Sequence, residues 1–518
     1  MTRGTAATSF HSILFARAEE DVGTETVEAP EFFADLNLDQ IVAAVTSGKE
    51  EYNLTPFFYV PLHDVDAVTS RHEVMQDLEN TRLFGDIKAF AQSMHAMRAH
   101  LAELEKRYYE HQNERWFLDA VNLYGEAVNR LARDLSVATL NSRGLRDFRD
   151  YLARYASSEP FTSTVKEAKR LLVELSTIRY SVFIQGLRVE VRHYAGEPDY
   201  STEVERTFER FHQGAVQAYT FRFSDSLEMN HVEARILDGI AQLHQQTFSE
   251  LAQYRTNNKE FLDPTVVTFD REIQFYVAYV EYIARFKEAG LSFCYPRVSV
   301  SDKEEYAGQV FDLALAGKLI GGKTTPVCND FYLEGPERII VVSGPNQGGK
   351  TTFARTFGQL HYLASLGCLV PGTRAQLYLP DRIFAHFERE EHMTTLRGKL
   401  EDDLVRIHEI SAVATPRSLI IINEIFASTT LRDAIFLSKN VAAAIMDLDA
   451  LCVWVTFLDE VASLSEKTVS MVSTVVPDNP AQRTFKIIRR PADGLAYAMA
   501  IARKYRLTYD MLRQRIGS

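Results

Sequence analysis

Long apolar runs are missing from this 518-residue chain. No segment approaches the length that crosses a bilayer, and the opening stretch MTRGTAATSFHSILF has no apolar core long enough for a secretory leader. The expectation is a cytoplasmic protein without membrane contact. Cysteine is scarce: Cys294, Cys328, Cys368 and Cys452 lie far apart and lack metal-ligand spacing. They read as reduced core or loop thiols. An excess of positive charge is also lacking, since 57 Lys and Arg against 70 Asp and Glu leave a formal charge of −13. That argues against a globally basic nucleic-acid binder, although a local basic groove remains open. There is no internal repeat and no low-complexity tract. What is present is ordinary for a globular chain, with 46% hydrophobic and 25% charged residues. The length exceeds one core, so several domains are expected.

Three regions emerge along the chain. Residues 1–50 are polar and mixed, with a short helix at Leu38–Val45, and read as a lead-in. Residues 51–290 are helical. A helical pattern starts after Ser70, and from 86 to 180 the apolar residues Ile87, Phe90, Met94 and Met97 recur at helical spacing, with no proline before Pro160. Helical pattern resumes at Tyr200–Phe211, His231–Tyr254 and Phe269–Gly290, with a break at Asp263–Pro264. Arg143, Arg146, Arg149 and Arg154 alternate with Asp147 and Asp150, which favours a solvated helix face over a nucleic-acid patch. Between these helices, Tyr180–Arg192 alternates apolar and polar residues around Gln185–Gly186, which predicts a small β hairpin. Residues 291–518 read as α/β. Strands are predicted at Arg338–Ser343, Ser418–Ile422, Leu451–Thr456, Thr468–Val476 and Arg483–Arg489, the last two as a hairpin. Helices are predicted near Gly494–Tyr505 and Thr508–Ile516. The fold class is therefore multidomain: an all-α region with a β insertion, followed by an α/β P-loop domain.

The chemistry concentrates at VVSGPNQGGKTT, Val341–Thr352. Gly344, Pro345, Asn346, Gln347, Gly348, Gly349, Lys350 and Thr351 fit G-x-x-x-x-G-K-[ST] at every fixed position, and Thr352 follows. An apolar strand precedes the loop and a helix, Phe353–Ala364, succeeds it, as a phosphate-binding loop requires. A chance glycine-rich turn would not carry both flanks. Backbone N–H groups would close around phosphate oxygens at the positive end of the helix. Lys350 would reach the outer phosphates, and the Thr351 hydroxyl would sit on Mg²⁺. Downstream, Ser418–Glu424 is an apolar strand ending in Asn423-Glu424. In such sites the first acid holds the metal and the second polarises the attacking water. Asn423 brings an oxygen without charge, and Glu424 is the candidate general base.

From about Val327 to Gln514 the sequence resembles the ATPase domain of the MutS family of DNA mismatch-repair proteins. GPNQGGKTT is similar to that family's GPNxGGKST. Pro371, Asp381–Phe384, Asn423-Glu424-Ile425, Ser428-Thr429-Thr430, Thr456-Phe457 and the start of a helix at Gly494–Ala498 follow in the family's order. RHEVMQDLE, Arg71–Glu79, resembles the opening helix of the family's central lever domain, and the Tyr180–Arg192 hairpin falls where a clamp-like insertion sits. No stretch near the N-terminus resembles the mismatch-recognition module. The resemblance implies ATP and Mg²⁺ as ligands, a homodimer with ATP between subunits, and a DNA partner, duplex or branched. It departs at three places. Asn423 stands at the metal-associated aspartate. Phe457 replaces a histidine expected near the γ-phosphate. Gly398 and Lys399 stand where a serine-threonine pair of the trans-acting loop would complete the partner's site. The expectation is retained ATP binding with slow turnover. Two other classes stay open: a nucleotide-switched scaffold acting on a protein, RNA or ribosome, and a P-loop phosphotransferase, for which no arginine-rich lid is found.

Overall fold

The computed structural model describes residues 10–15, 28–104, 109–186, 188–198, 229–322, 324–387, 398–477, 479–492 and 506–516. Its first half is almost wholly helical: α1 (Leu38–Thr46), α2 (Val65–Asp77), α3 (Thr81–Leu104), α4 (Glu110–Val137), α5 (Arg143–Ala156) and α6 (Glu159–Thr177). The hairpin β1 (Tyr180–Gln185) and β2 (Arg188–His193) follows, then α7 (His231–Leu243), α8 (Gln245–Asn257) and α9 (Pro264–Glu288). The second half alternates: β3 (Phe293–Cys294), β4 (Arg297–Ser299), β5 (Glu305–Val310), α10 (Leu313–Ile320), β6 (Asn329–Leu333), β7 (Ile339–Ser343), α11 (Lys350–Ser365), β8 (Val370–Pro371), β9 (Arg374–Tyr378), β10 (Ile383–Phe387), α12 (Lys399–Val413), β11 (Leu419–Asn423), α13 (Leu431–Leu448), β12 (Leu451–Val455), β13 (Thr468–Val476), β14 (Asn479–Arg489) and α14 (Tyr509–Ile516). A helical region followed by a mixed α/β sheet domain is thus what the chain forms. The helices predicted at Tyr200–Phe211 and Gly494–Tyr505 lie outside the described residues.

Two compact units arise. One comprises Thr81–Ala138 and Phe148–Asp270. Its core is helix on helix, with Phe117, Leu118 and Val121 of α4 meeting Ala168 and Leu171 of α6 and Leu251 and Tyr254 of α8. The β1–β2 hairpin is antiparallel, closed by the Gln185–Arg188 pair around Gly186, whose φ of 62° suits glycine. Val191 of β2 packs with Ile240, Ala241 and Phe248. The run predicted as one helix over His231–Tyr254 is two, because His244 leaves helical geometry at φ −118°, ψ 45°.

The other unit comprises Met1–Asn80, Thr139–Asp147 and Arg271–Ser518. Its main sheet runs β10-β11-β12-β7-β13-β14, parallel from β10 through β13, with β14 antiparallel at the edge. Strands β7, β11 and β12 are buried at every residue, as expected for a sheet covered on both faces. Helix α11 is buried along most of its length, from Phe353 to Ser365. The sheet covers one side, and residues 28–77 help cover the other. The Phe33 ring lies 5.1 Å from Tyr362, and Gln359 Nε2 donates to Leu36 O at 2.9 Å. The buried Arg71 of α2 donates to Leu366 O, just past α11, at 2.8 Å and to Leu14 O at 3.0 Å. Helix α2 begins at Val65, before the predicted start after Ser70, because Asp64 caps it by accepting from Asp66 N–H.

A second sheet, β4-β9-β5-β6, was not anticipated from the sequence. Its strand β6 alternates cleanly: Asn329, Phe331 and Leu333 are buried, Asp330 and Tyr332 exposed. All four cysteines are free thiols. Among the described residues no helix is long and apolar enough to cross a membrane.

Candidate nucleotide site

The carboxyl ends of parallel strands collect the polar residues. β7 delivers Gly344–Gly349, β11 delivers Asn423 and Glu424, β12 delivers Thr456 and Phe457, and β13 delivers Ser473. Because β12 and β13 flank β7, the loop sits at a switch point of the sheet, where open α/β sheets bind ligands.

The loop is held from the side by β13. Ser473 Oγ donates to Gly348 O at 2.7 Å. A Cβ on Gly348 would come within 2.2 Å of that hydroxyl, so the second glycine is needed for close approach. Gly349 caps α11 at φ 90°, a conformation that side chains resist. Arg483 of β14 adds a bond from Nε to Asn346 O at 3.0 Å. Gln347 takes a left-handed φ of 59°.

Lys350 opens α11 and is only 3% exposed, so its ammonium needs compensation. It donates to Gly344 O at 3.1 Å, Pro345 O at 3.3 Å and Asn346 Oδ1 at 3.4 Å. Glu424 lies 3.7 Å away, and the Phe457 ring stacks 4.2 Å from Nζ. Burial lowers the Lys350 pKa from its ordinary value; Glu424 opposes that fall and Arg483 adds to it. Thr351 Oγ1 donates to Asn423 Oδ1 at 2.9 Å. These two neutral oxygens are hard donors of the kind Mg²⁺ prefers, so the pair suits an ion that reaches the site with phosphate and its own waters. Among the described residues there is no cluster of three or more His, Cys, Asp or Glu that would cage a metal unaided.

Beside the loop lies a cavity of about 830 Å³. One wall is the loop with Thr351, Thr352 and Glu424. The other is apolar, built by Phe311, Leu315, Pro326, Val327 and Phe485. A charged floor beside an apolar wall, at this volume, suits a nucleotide. The wall comes from α10, from the residues just after β5 and just before β6, and, for Phe485, from β14, where the sequence carries no recognisable motif. Ser473, Arg483, Asn329 and Phe485 were missed as well. Asn329 holds β14 by accepting from Ile487 N–H at 2.8 Å and donating to Phe485 O at 3.2 Å.

The structure thus gathers Gly344 through Thr352, Asn423, Glu424 and Phe457 into one site. Gly398 and Lys399 stand apart from the loop cavity. Gly398 heads α12 and is exposed; Lys399 borders a small recess of about 40 Å³ with His386, Asp403 and Glu424.

The fold and loop define a P-loop nucleotide-binding domain. A family model for MutS domain V matches residues 340–510. The DNA mismatch repair protein MutS of Zymomonas mobilis is 29% identical over 181 residues, covering 34% of this chain and 21% of that protein. Endonuclease MutS2 of Thermus thermophilus is 27% identical over 190 residues, covering 36% and 25%. The MutS of Chlorobaculum parvum aligns along 86% of this chain and 54% of its own length, at 22% identity. The aligned chain spans from about a fifth to about half of these relatives. The chain is similar to MutS proteins, with residues 340–510 as the part that matches domain V.

Proposed function

We propose that this protein binds ATP with Mg²⁺ in the β7–α11 loop, hydrolyses it slowly, and works as a dimeric nucleotide-gated clamp on DNA, without reading mismatches. The observation that carries the reading is the contrast at one site: a complete phosphate loop beside a metal position that carries no charge. Gly344–Thr351 supplies backbone N–H groups, Lys350 and a hydroxyl. Glu424, at the end of β11, accepts a proton from the attacking water. The metal, when bound, neutralises phosphate charge, and Thr351 and Asn423 are the side chains that would hold it. Asn423 holds it more weakly than an aspartate would, and Phe457 offers no donor to a phosphate oxygen. One lost stabilising donor can cost about 100-fold in rate, so slow turnover follows.

The relatives' names, a mismatch-repair protein and an endonuclease, support DNA as the partner class, and the family resemblance supports a dimer in which Gly398 and Lys399 approach the other subunit's nucleotide. The net charge of −13 favours a second reading, a nucleotide-switched scaffold for a protein or RNA partner.

The test is ATP turnover with and without duplex DNA, branched DNA and RNA, in the wild type and Glu424→Gln. The variant should retain nucleotide and lose turnover; unchanged turnover would remove Glu424 from the mechanism. Salt dependence separates the two partner classes, because a clamp on duplex loses affinity with a log–log slope of about −0.9 per phosphate contact. A chain that stays monomeric at saturating ATP and binds no DNA would end the clamp reading.

A further inference from the structure

Glu424 and Phe426 both sit in the left-handed backbone region, at φ 57° and 62°. For a glutamate and a phenylalanine this conformation is strained. Something must hold it. Glu424 N–H is anchored to Val455 O at 2.9 Å, and the Phe426 side chain is buried. The third anchor comes from another element. Asp403 of α12 accepts from Phe426 N–H through Oδ2 at 2.9 Å. Its Oδ1 accepts from His386 Nε2, on β10, at 2.8 Å. One carboxylate therefore joins β10, α12 and the turn that aims Glu424 at Lys350. One turn further along α12, Arg406 donates to Ala385 O at 2.9 Å and to Asp35 at 3.1 Å, so the helix is tied to β10 a second time.

We infer that Asp403 is a positioning residue for Glu424, and that through it the seat of α12, whose N-cap is Gly398 and first residue Lys399, sets the alignment of the general base. The inference rests on the hydrolytic reading of Glu424. Asp403 does not line the loop cavity, and its hydrogen bond goes to Phe426 rather than to Glu424, so it acts through the Glu424–Phe426 turn. A rotation of α12, imposed from its exposed N-terminus, would carry the carboxylate away from Phe426 N–H and release the turn. The general base would then swing off line without any change in the phosphate loop. The isosteric asparagine keeps an acceptor for Phe426 N–H, and its amide can donate to the other His386 tautomer, so it should preserve the device that alanine destroys.

The experiment compares Asp403→Ala, Asp403→Asn and Glu424→Gln, singly and combined, reading kcat and the Kd for a fluorescent ATP analogue. Asp403→Ala should lower kcat by about 100-fold, the cost of misplacing a reacting group by roughly 1 Å, with Kd within about threefold. Asp403→Asn should recover most of that loss. In the Glu424→Gln background, Asp403→Ala should cost nothing further, because the residue it positions is already disabled. Full additivity of the two substitutions, or an unchanged kcat in Asp403→Ala, overturns the inference while leaving Glu424 as the base. A Glu424→Gln enzyme as fast as wild type overturns both.

Discussion

The phosphate loop and the rim around it are built on opposite principles. The loop is fixed by several neighbours. Ser473 pins Gly348, Arg483 pins Asn346, and Lys350 bonds to three acceptors within the loop itself. Behind it, α11 is buried along most of its length. The rim is more open: Phe457 and Phe485 are half-exposed, and Glu424 depends on a strained turn. The family's sequence pattern is complete in the first and departs in the second. On the proposed function, binding is therefore built into the scaffold, whereas hydrolysis would rest on residues that can be exchanged or moved.

The sharpest way to break this contrast is Lys350→Ala. It removes the buried cation and should weaken nucleotide binding about 100-fold or more, as loss of charge-assisted bonds to phosphate predicts. Titration with a fluorescent nucleotide measures it, and normal affinity would refute the loop assignment. At the rim, Asn423→Asp should leave loop geometry intact, lower the half-saturating Mg²⁺ concentration about tenfold and raise turnover, because affinity for hard cations follows ligand charge. A Mg²⁺ titration of turnover shows this, and an unchanged midpoint would place the metal elsewhere. Phe457→His should raise single-turnover hydrolysis by roughly an order of magnitude by returning a donor near the phosphates, with little effect on binding. The smallest effect expected is with pH. Nucleotide phosphate favours charged Lys350, whose pKa in the free site lies below the ordinary value. Affinity should decline as pH rises through that lowered pKa, earlier than for a solvated lysine. Affinity measured across the alkaline range tests the sign.

What could be read in the sequence follows from how local each feature is. The loop, its strand and its helix are contiguous, so their meaning survives without coordinates. Ser418–Glu424 was legible for the same reason, and the Thr468–Arg489 hairpin announced itself by the prolines Pro477 and Pro480, although β14 already starts at Asn479. The β6 strand did carry a period-two signal, with Asn329, Phe331 and Leu333 facing in, but five residues are too few to stand out. Ser473, Arg483 and Asp403 are single polar residues whose partners lie 125, 137 and 23 positions away, and no local pattern reports such pairs. The same holds for residues 28–58. No local pattern names their partner, and only the structure shows Phe33 and Leu36 lying against α11.

The Thr351–Asn423 contact also bears on how the protein would behave when magnesium is scarce. A carboxylate there would repel a bare triphosphate and make loading conditional on the ion. A carboxamide adds no such repulsion, so free nucleotide should compete with its magnesium complex better than it would beside a carboxylate. Loading of this site would then depend less steeply on magnesium than with an aspartate at position 423.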